Sequence, residues 1–157
     1  MFIRKGCEED MASVLELIRE LAAFEKEPEA VVITKADLIR DGFGDVPLFH
    51  TFVVEEDNEI IGMALFYYRY STWKGKTIHL EDLIVKAGKR GTGAGGKLYR
   101  EVIKFAKAQG VRRVEWVVLD WNTHAIDFYK RSGAAVMNDW LTVQMNEEGI
   151  TKFTLAI

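Results

Sequence analysis

Apolar residues fall at helical spacing near the start of the chain. Met11, Val14, Leu15, Ile18, Leu21 and Ala22 lie on one face of a helix, which predicts an amphipathic helix over residues 8–24. A short run at residues 2–4 precedes it as a first strand. After a charged loop broken by Pro28, Thr34 and Asp37 form a capping-box pattern ahead of Leu38 and Ile39. Asp41 and Gly42 are expected to end that second helix. The pattern then turns to strands at residues 52–55, 60–70 and 77–85. Asp57-Asn58 marks one turn, and the stretch around Trp73 and Gly75 marks the next. Three strands on short turns predict an antiparallel meander. Leu98, Val102, Phe105 and Ala106 stripe a helix over residues 95–109, closed by Gly110. An apolar strand over residues 114–119 and a helix over residues 123–131 ending at Gly133 follow. Residues 140–145 and 150–156 read as a last pair of strands around a turn at Glu147-Glu148-Gly149. The order is β-α-α-β-β-β-α-β-α-β-β. It predicts a single α/β domain over residues 1–157, with helices on the faces of one mixed sheet.

Composition narrows the function. A chain of 157 residues with 48% hydrophobic residues suits one globular domain. A net charge of −3 disfavours nucleic acid as a partner and is compatible with a cationic substrate. Cys7 is the lone cysteine, which excludes an intrachain disulfide and a thiolate metal cluster. His50, His79 and His124 lack metal-site spacing, so no metal is expected. Trp73, Trp116, Trp121 and Trp140 come with no basic stripe and read as core or interface groups. The N-terminus turns charged at Arg4 and Lys5, and the longest apolar stretch is too short to span a bilayer. The expectation is a cytoplasmic protein with no membrane partner.

One stretch concentrates chemistry. Glu81 and Asp82 sit on a strand, where neighbours point to opposite faces. Arg90, Gly91, Thr92, Gly93, Ala94, Gly95 and Gly96 then open a helix. Glycines allow close backbone approach, and a helix start offers unpaired amides to an anion. The spacing also satisfies the dinucleotide pattern G-x-G-x-x-G, with Asp120 at the end of the next strand. Residues 86–90 intervene between strand and turn, however, and the chain is short for two nucleotide-binding halves. No Gly-Lys-Ser/Thr follows, which excludes a P-loop. Alone, the turn is read equally well as carrying no ligand.

The string Arg90-Gly91-Thr92-Gly93-Ala94-Gly95 resembles the Arg/Gln-x-x-Gly-x-Gly/Ala signature of the GNAT superfamily of N-acetyltransferases. Within it, the chain is similar to the spermidine/spermine (diamine) and thialysine N-acetyltransferases. Residues 20–25, Asp41-Gly42-Phe43-Gly44, Leu80-Glu81-Asp82, Trp121-Asn122 and Phe128-Tyr129-Lys130-Arg131 carry the match. The resemblance implies a GNAT fold, α/β, with a mixed and mostly antiparallel sheet of about seven strands and four helices. The sheet would splay between its fourth and fifth strands. It implies acetyl-CoA as cosubstrate, with Leu83, Ile84 and Val85 along the pantetheine arm and residues 90–96 on the pyrophosphate. Asn122, Ala125 and Tyr129 would contact the rest of CoA. Phe24, Glu25, Glu81 and Asp82 would contact the amine, and a homodimer is expected. Phe24 stands where the family often has tyrosine, Asp120 replaces a glutamate, and the chain is shortened before Trp140.

The implied reaction is direct attack of a primary amine of a polyamine, diamine or lysine-like acceptor on the thioester. Glu81 is the candidate base and Tyr129 the candidate acid. Each residue has a plainer reading. Glu81 or Asp82 is simply solvated, Tyr129 is a core aromatic, Asn122 or Thr123 is an N-cap, and Glu25 is one more loop charge. A protein amine or an aminoglycoside as acceptor, and a binding module without turnover, are the alternatives.

Overall fold

The computed structural model describes residues 1–155. It divides into two units, Met1–Val117 and Val118–Ile157.

The first unit is built on a sheet of five strands in the order β1-β2-β3-β4-β5. These are β1 (Phe2–Lys5), β2 (His50–Glu56), β3 (Glu59–Ser71), β4 (Gly75–Val85) and β5 (Val114–Glu115). The first four pair antiparallel, and β5 joins β4 in parallel. Helices α1 (Met11–Phe24) and α2 (Lys35–Phe43) lie between β1 and β2, and α3 (Ala94–Ala108) lies between β4 and β5.

Local chemistry sets these elements. Thr34 and Asp37 form the expected capping box: Asp37 N–H donates to Thr34 Oγ1 at 3.2 Å, and Thr34 N–H donates to Asp37 Oδ2 at 2.9 Å. Asp57 and Asn58 both have positive φ, 52° and 62°, as a two-residue primed hairpin turn needs. Helix α2 runs past Gly42 to Phe43, one residue beyond the expected end. Gly42 is instead a packing glycine, because a Cβ there would meet the Phe49 ring at 2.6 Å.

The sheet separates two apolar layers. Phe52, Val54, Ile61, Ala64, Phe66, Ile78, Leu80 and Val85 pack with Leu98, Val102 and Ala106 of α3. Val53, Ile60, Met63, Leu65 and Ile84 pack with Met11, Val14, Leu15 and Leu17 of α1 and Leu38 of α2. At about 25 cal/mol per Å² these layers are the main favourable contribution to folding.

In the second unit, α4 (Thr123–Arg131) follows the expected bounds and α5 (Glu147–Leu155) does not. The expected closing strands are corrected. Residues 140–145 form neither strand nor helix, and residues 150–155 lie in α5. Ala156, the last residue of that expected strand, falls outside the described residues. The physical reason is at the front of the helix. Asn146 Oδ1 accepts from Gly149 N–H at 2.9 Å, and Glu147 and Glu148 follow in the first turn, where the helix dipole favours negative charge. An ion pair between Glu148 and Lys152 adds a bridge at i,i+4. The strand expected over residues 114–119 is likewise shorter, only Val114–Glu115. The described residues thus hold five strands and five α-helices in place of about seven and four, within the same α/β class.

Candidate active site

Strand β4 changes character along its length. It pairs with β5 only at Ile78↔Val114 and His79↔Glu115. Beyond His79, among the described residues, no strand pairs with that edge. The pairing of the fourth and fifth strands therefore ends there, because β5 itself ends at Glu115. On its other side, β4 pairs with β3 through Phe66↔Leu80 and then Leu65↔Asp82. Glu81 is skipped and forms a β-bulge, a feature common beside active sites because it re-aims a side chain.

The bulge reverses the alternation. Ile78 and Leu80 face α3, and so do Leu83 and Val85, while Ile84 faces α1. Asp82 is in register with Leu65, which belongs to the α1 layer. Tyr67, packed on the same layer, donates its hydroxyl to Glu81 Oε2 at 2.8 Å. Glu81 and Asp82 therefore share the α1 side. This corrects the expectation that they point to opposite faces, which holds only for an unbroken pleat.

Glu25 at the end of α1 joins them. Burial first, then the charges of Glu81 and Glu25, push the Asp82 carboxyl up to about 7. Loss of solvent also raises Glu25. Phe24 is 38% exposed beside Glu25, and the Arg90 guanidinium lies 5.1 Å from its ring centroid. Three acids, an aromatic ring and the tyrosine of a neighbouring strand thus gather at one end of α1 and β4, a site suited to an alkylammonium group.

The glycine turn lies next along the chain. Gly91 and Gly93 have φ of 79° and 85°, and a Cβ at either would meet nothing within 4 Å. Positive φ, not crowding, requires glycine there. Gly93 is the N-cap of α3, and the first intrahelical bond is from Lys97 N–H to Gly93 O. The amides of Ala94, Gly95 and Gly96 precede that bond. Thr92 Oγ1 donates to Lys89 O at 2.8 Å and shapes the turn. Its cations are directed elsewhere. Lys89 pairs with Glu56, while Arg90 Nε donates to Val85 O at 3.1 Å and its guanidinium lies 3.6 Å from Glu20.

In the second unit Asn122, not Thr123, is the cap of α4, its side chain accepting from Ala125 N–H at 3.3 Å. Tyr129 is half-buried on α4, with its ring edge-on to Phe128 at 5.4 Å.

Two residues beside the acids escaped the sequence reading, Tyr67 and His79. The signal was present: the turn pairs Ser71 with Gly75, and counting outward from it pairs Tyr67 with His79. Among the described residues no three His, Cys, Asp or Glu side chains converge closely enough to hold a metal ion, and no helix is long and apolar enough to cross a membrane.

A sequence profile of the Acetyltransferase (GNAT) family matches residues 12–134. The chain is 41% identical over 142 residues to a thialysine N-epsilon-acetyltransferase of Bos taurus, covering 85% of this chain and 84% of that one. It is 33% identical over 149 residues to spermidine/spermine N(1)-acetyltransferase-like protein 1 of Homo sapiens, covering 88% of this chain and 21% of that protein. Among solved structures, an aminoglycoside N-acetyltransferase in complex with CoA superposes with a TM-score of 0.68 at 17% identity, covering 92% of this chain and 99% of that one. This likeness speaks to the fold alone. On the profile match and the identity to its relatives, the chain belongs to the acetyltransferase (GNAT) family and is an N-acetyltransferase.

Proposed function

We propose that the enzyme moves an acetyl group from acetyl-CoA to a primary amine of a small cationic acceptor, a polyamine, a diamine or a lysine-like amine such as thialysine. The observation that carries this reading is the gathering of Glu25, Glu81 and Asp82 on one face where β4 loses its outer partner. The relatives' names, thialysine and spermidine/spermine acetyltransferases, point the same way.

The residues after Val85 fit the cosubstrate. The open, positive-φ glycines and the leading amides of α3 suit a pyrophosphate, and the unpaired edge of Leu83, Ile84 and Val85 suits an extended amide-bearing arm. Acetyl-CoA, when bound, supplies a thioester carbonyl as the electrophile.

An alkylamine has a pKa near 10.4, so it arrives protonated. The three acids attract the ammonium, and Glu81 takes its proton, through water, freeing the lone pair to attack. The amine nitrogen gains the acetyl carbon as the carbon–sulfur bond breaks. Leu83 N–H polarises the carbonyl. Tyr129, with a phenol pKa near 10 against about 8.5 for a thiol, donates to the departing sulfur, a role that rests on the resemblance. A homodimer belongs to the same proposal and rests on the resemblance alone.

The test is thiol release from acetyl-CoA over a panel of spermidine, a short diamine, thialysine, lysine, an aminoglycoside and a peptide amine. Release with the small polycations or lysine analogues is the expected result. Release only with the aminoglycoside or the peptide would overturn the acceptor class, and CoA binding with no release on any amine would overturn the transfer reading.

A further inference from the structure

Resting on the reading of Glu81 as the proton acceptor, we infer that Tyr67 and His79 are positioning residues that hold its carboxylate by Oε2 and leave Oε1 to take the amine's proton.

Glu81 needs such a hold. As the bulged residue it has no partner across the ladder, and its side chain is 51% exposed. A long side chain in that state samples several rotamers, and a base must stay within hydrogen-bond reach of its proton. Tyr67 and His79 are register partners whose rings lie 5.3 Å apart at 34°. Both direct a polar atom at the same oxygen. The Tyr67 hydroxyl donates to Oε2 at 2.8 Å, and His79 Nε2 lies 3.5 Å from it.

The two rings are themselves fixed. Tyr67 packs on the α1 layer, and burial together with the Glu81 bond pushes its phenol up to about 12, so it remains a donor throughout the working range. The His79 side chain is only 13% exposed, and its Nδ1 is buried with no hydrogen-bond partner among the described residues. An imidazole with its proton on Nε2 satisfies both facts, since the lone pair then faces inward and the donor faces Glu81.

Other charges do not compete for this role. Glu115, the residue beside His79 on β5, forms ion pairs with Arg69 at 2.5 Å and Arg113 at 2.9 Å, although its Oε1 makes no hydrogen bond among the described residues. Glu81 is the acid within ion-pair distance of His79. Asp82 lies on the same side and repels Glu81, which makes a donor pair on its Oε2 more necessary.

Steady-state kinetics on four variants and one double variant test this. Tyr67→Phe keeps the ring and removes the donor, and kcat is expected to fall roughly 10- to 100-fold, as misplacement of a reacting group does, with KM for amine and acetyl-CoA within about twofold. His79→Gln keeps an N–H near Nε2 and is expected to retain most of kcat, whereas His79→Leu loses it. In a Glu81→Gln background, Tyr67→Phe is expected to cost nothing further. If Glu81→Gln is crippled yet Tyr67→Phe costs the same in both backgrounds, the positioning role is wrong and the base assignment stands. If Glu81→Gln turns over at the normal rate, the base assignment falls and the positioning role falls with it. Should His79→Leu fail to fold, Tyr67→Phe and its double variant still decide.

Discussion

The two halves of β4 are one continuous strand with opposite duties. Over residues 75–80 the backbone is paired with β3, and at Ile78 and His79 with β5 as well. Thr77 and Ile78 are fully buried, Leu80 nearly so, and even the Thr77 hydroxyl is used, donating to Arg69 O at 3.0 Å. Over residues 81–85 the strand bulges, loses its outer partner and carries two acids. The side chains of the first half are constrained by packing on both faces. In the second half Ile84 and Val85 still pack in the core, while the two acids and the unpaired outer edge sit where a ligand can supply the missing contacts. What separates structure from chemistry here is the loss of one neighbouring strand, with a bulge at the same place to turn two consecutive acids to one side.

The sharpest way to break this contrast is to cross the two halves at adjacent residues. Glu81→Gln is expected to lower kcat by roughly 10²–10⁴, the usual contribution of a positioned base, with unfolding stability changed by no more than about 0.5 kcal/mol. Leu80→Ala, one residue earlier and 2% exposed, is expected to cost about 2–5 kcal/mol of stability. Urea unfolding and steady-state kinetics on the same preparations read both. A Gln variant that lost stability in proportion to its rate would show that the bulge is a packing device and the acid an accessory to it.

A smaller effect sharpens the contrast at two glycines. Gly62, on β3 opposite Val85, has no room for a Cβ, which would meet Ile84 O at 2.7 Å. Gly93 has open space and a φ of 85°. Gly93→Ala is expected to cost about 1–2 kcal/mol from the left-handed backbone alone and to weaken CoA binding by calorimetry. Gly62→Ala is expected to disturb the sheet and lower the melting temperature, with CoA affinity per folded molecule little changed. If Gly93→Ala bound CoA normally, the glycine turn would be a turn and nothing more.

What the sequence discloses follows from how local the physics is. The Thr34–Asp37 box, the Asp57-Asn58 turn and the glycines that open α3 are settled by neighbours within four residues, and they are legible. The bulge at Glu81 has no such signature. It is a mismatch between β3 and β4 that appears only when the pairs on both sides of it are known, so adjacent acids read as facing apart. Tyr67 and His79 lie on the turn side of the bulge, so counting from the hairpin turn pairs them and alternation puts His79 on the face of Glu81, a legible signal. At the far end, Ile150, Thr151, Phe153 and Thr154 favour a strand by propensity, yet the Asn146 cap and the two acids behind it start a helix.

The finest probe of the second half is the pH dependence of stability contributed by Asp82. In the unfolded chain an aspartate titrates near 3.9, whereas in the fold this one is pushed to about 7, first by burial and then by Glu81 and Glu25. Between those values the folded state holds a proton that the unfolded state has released, so the stabilisation is complete below about pH 4, declines as pH rises through 7, and is flat above. Asp82→Asn removes the titration. The variant is expected to lose part of the decline between about pH 4 and 7, and to unfold at higher urea than the parent at pH 8, where the parent's carboxylate is charged and poorly solvated. Glu25→Gln removes one of the repelling charges, so the parent's decline should move to lower pH without vanishing. Urea midpoints at half-unit steps resolve both. A parallel decline in the Asn variant would mean that Asp82 is well solvated in solution, and that the crowding of three acids on the α1 side, on which the cationic-acceptor reading depends, is weaker than the geometry implies.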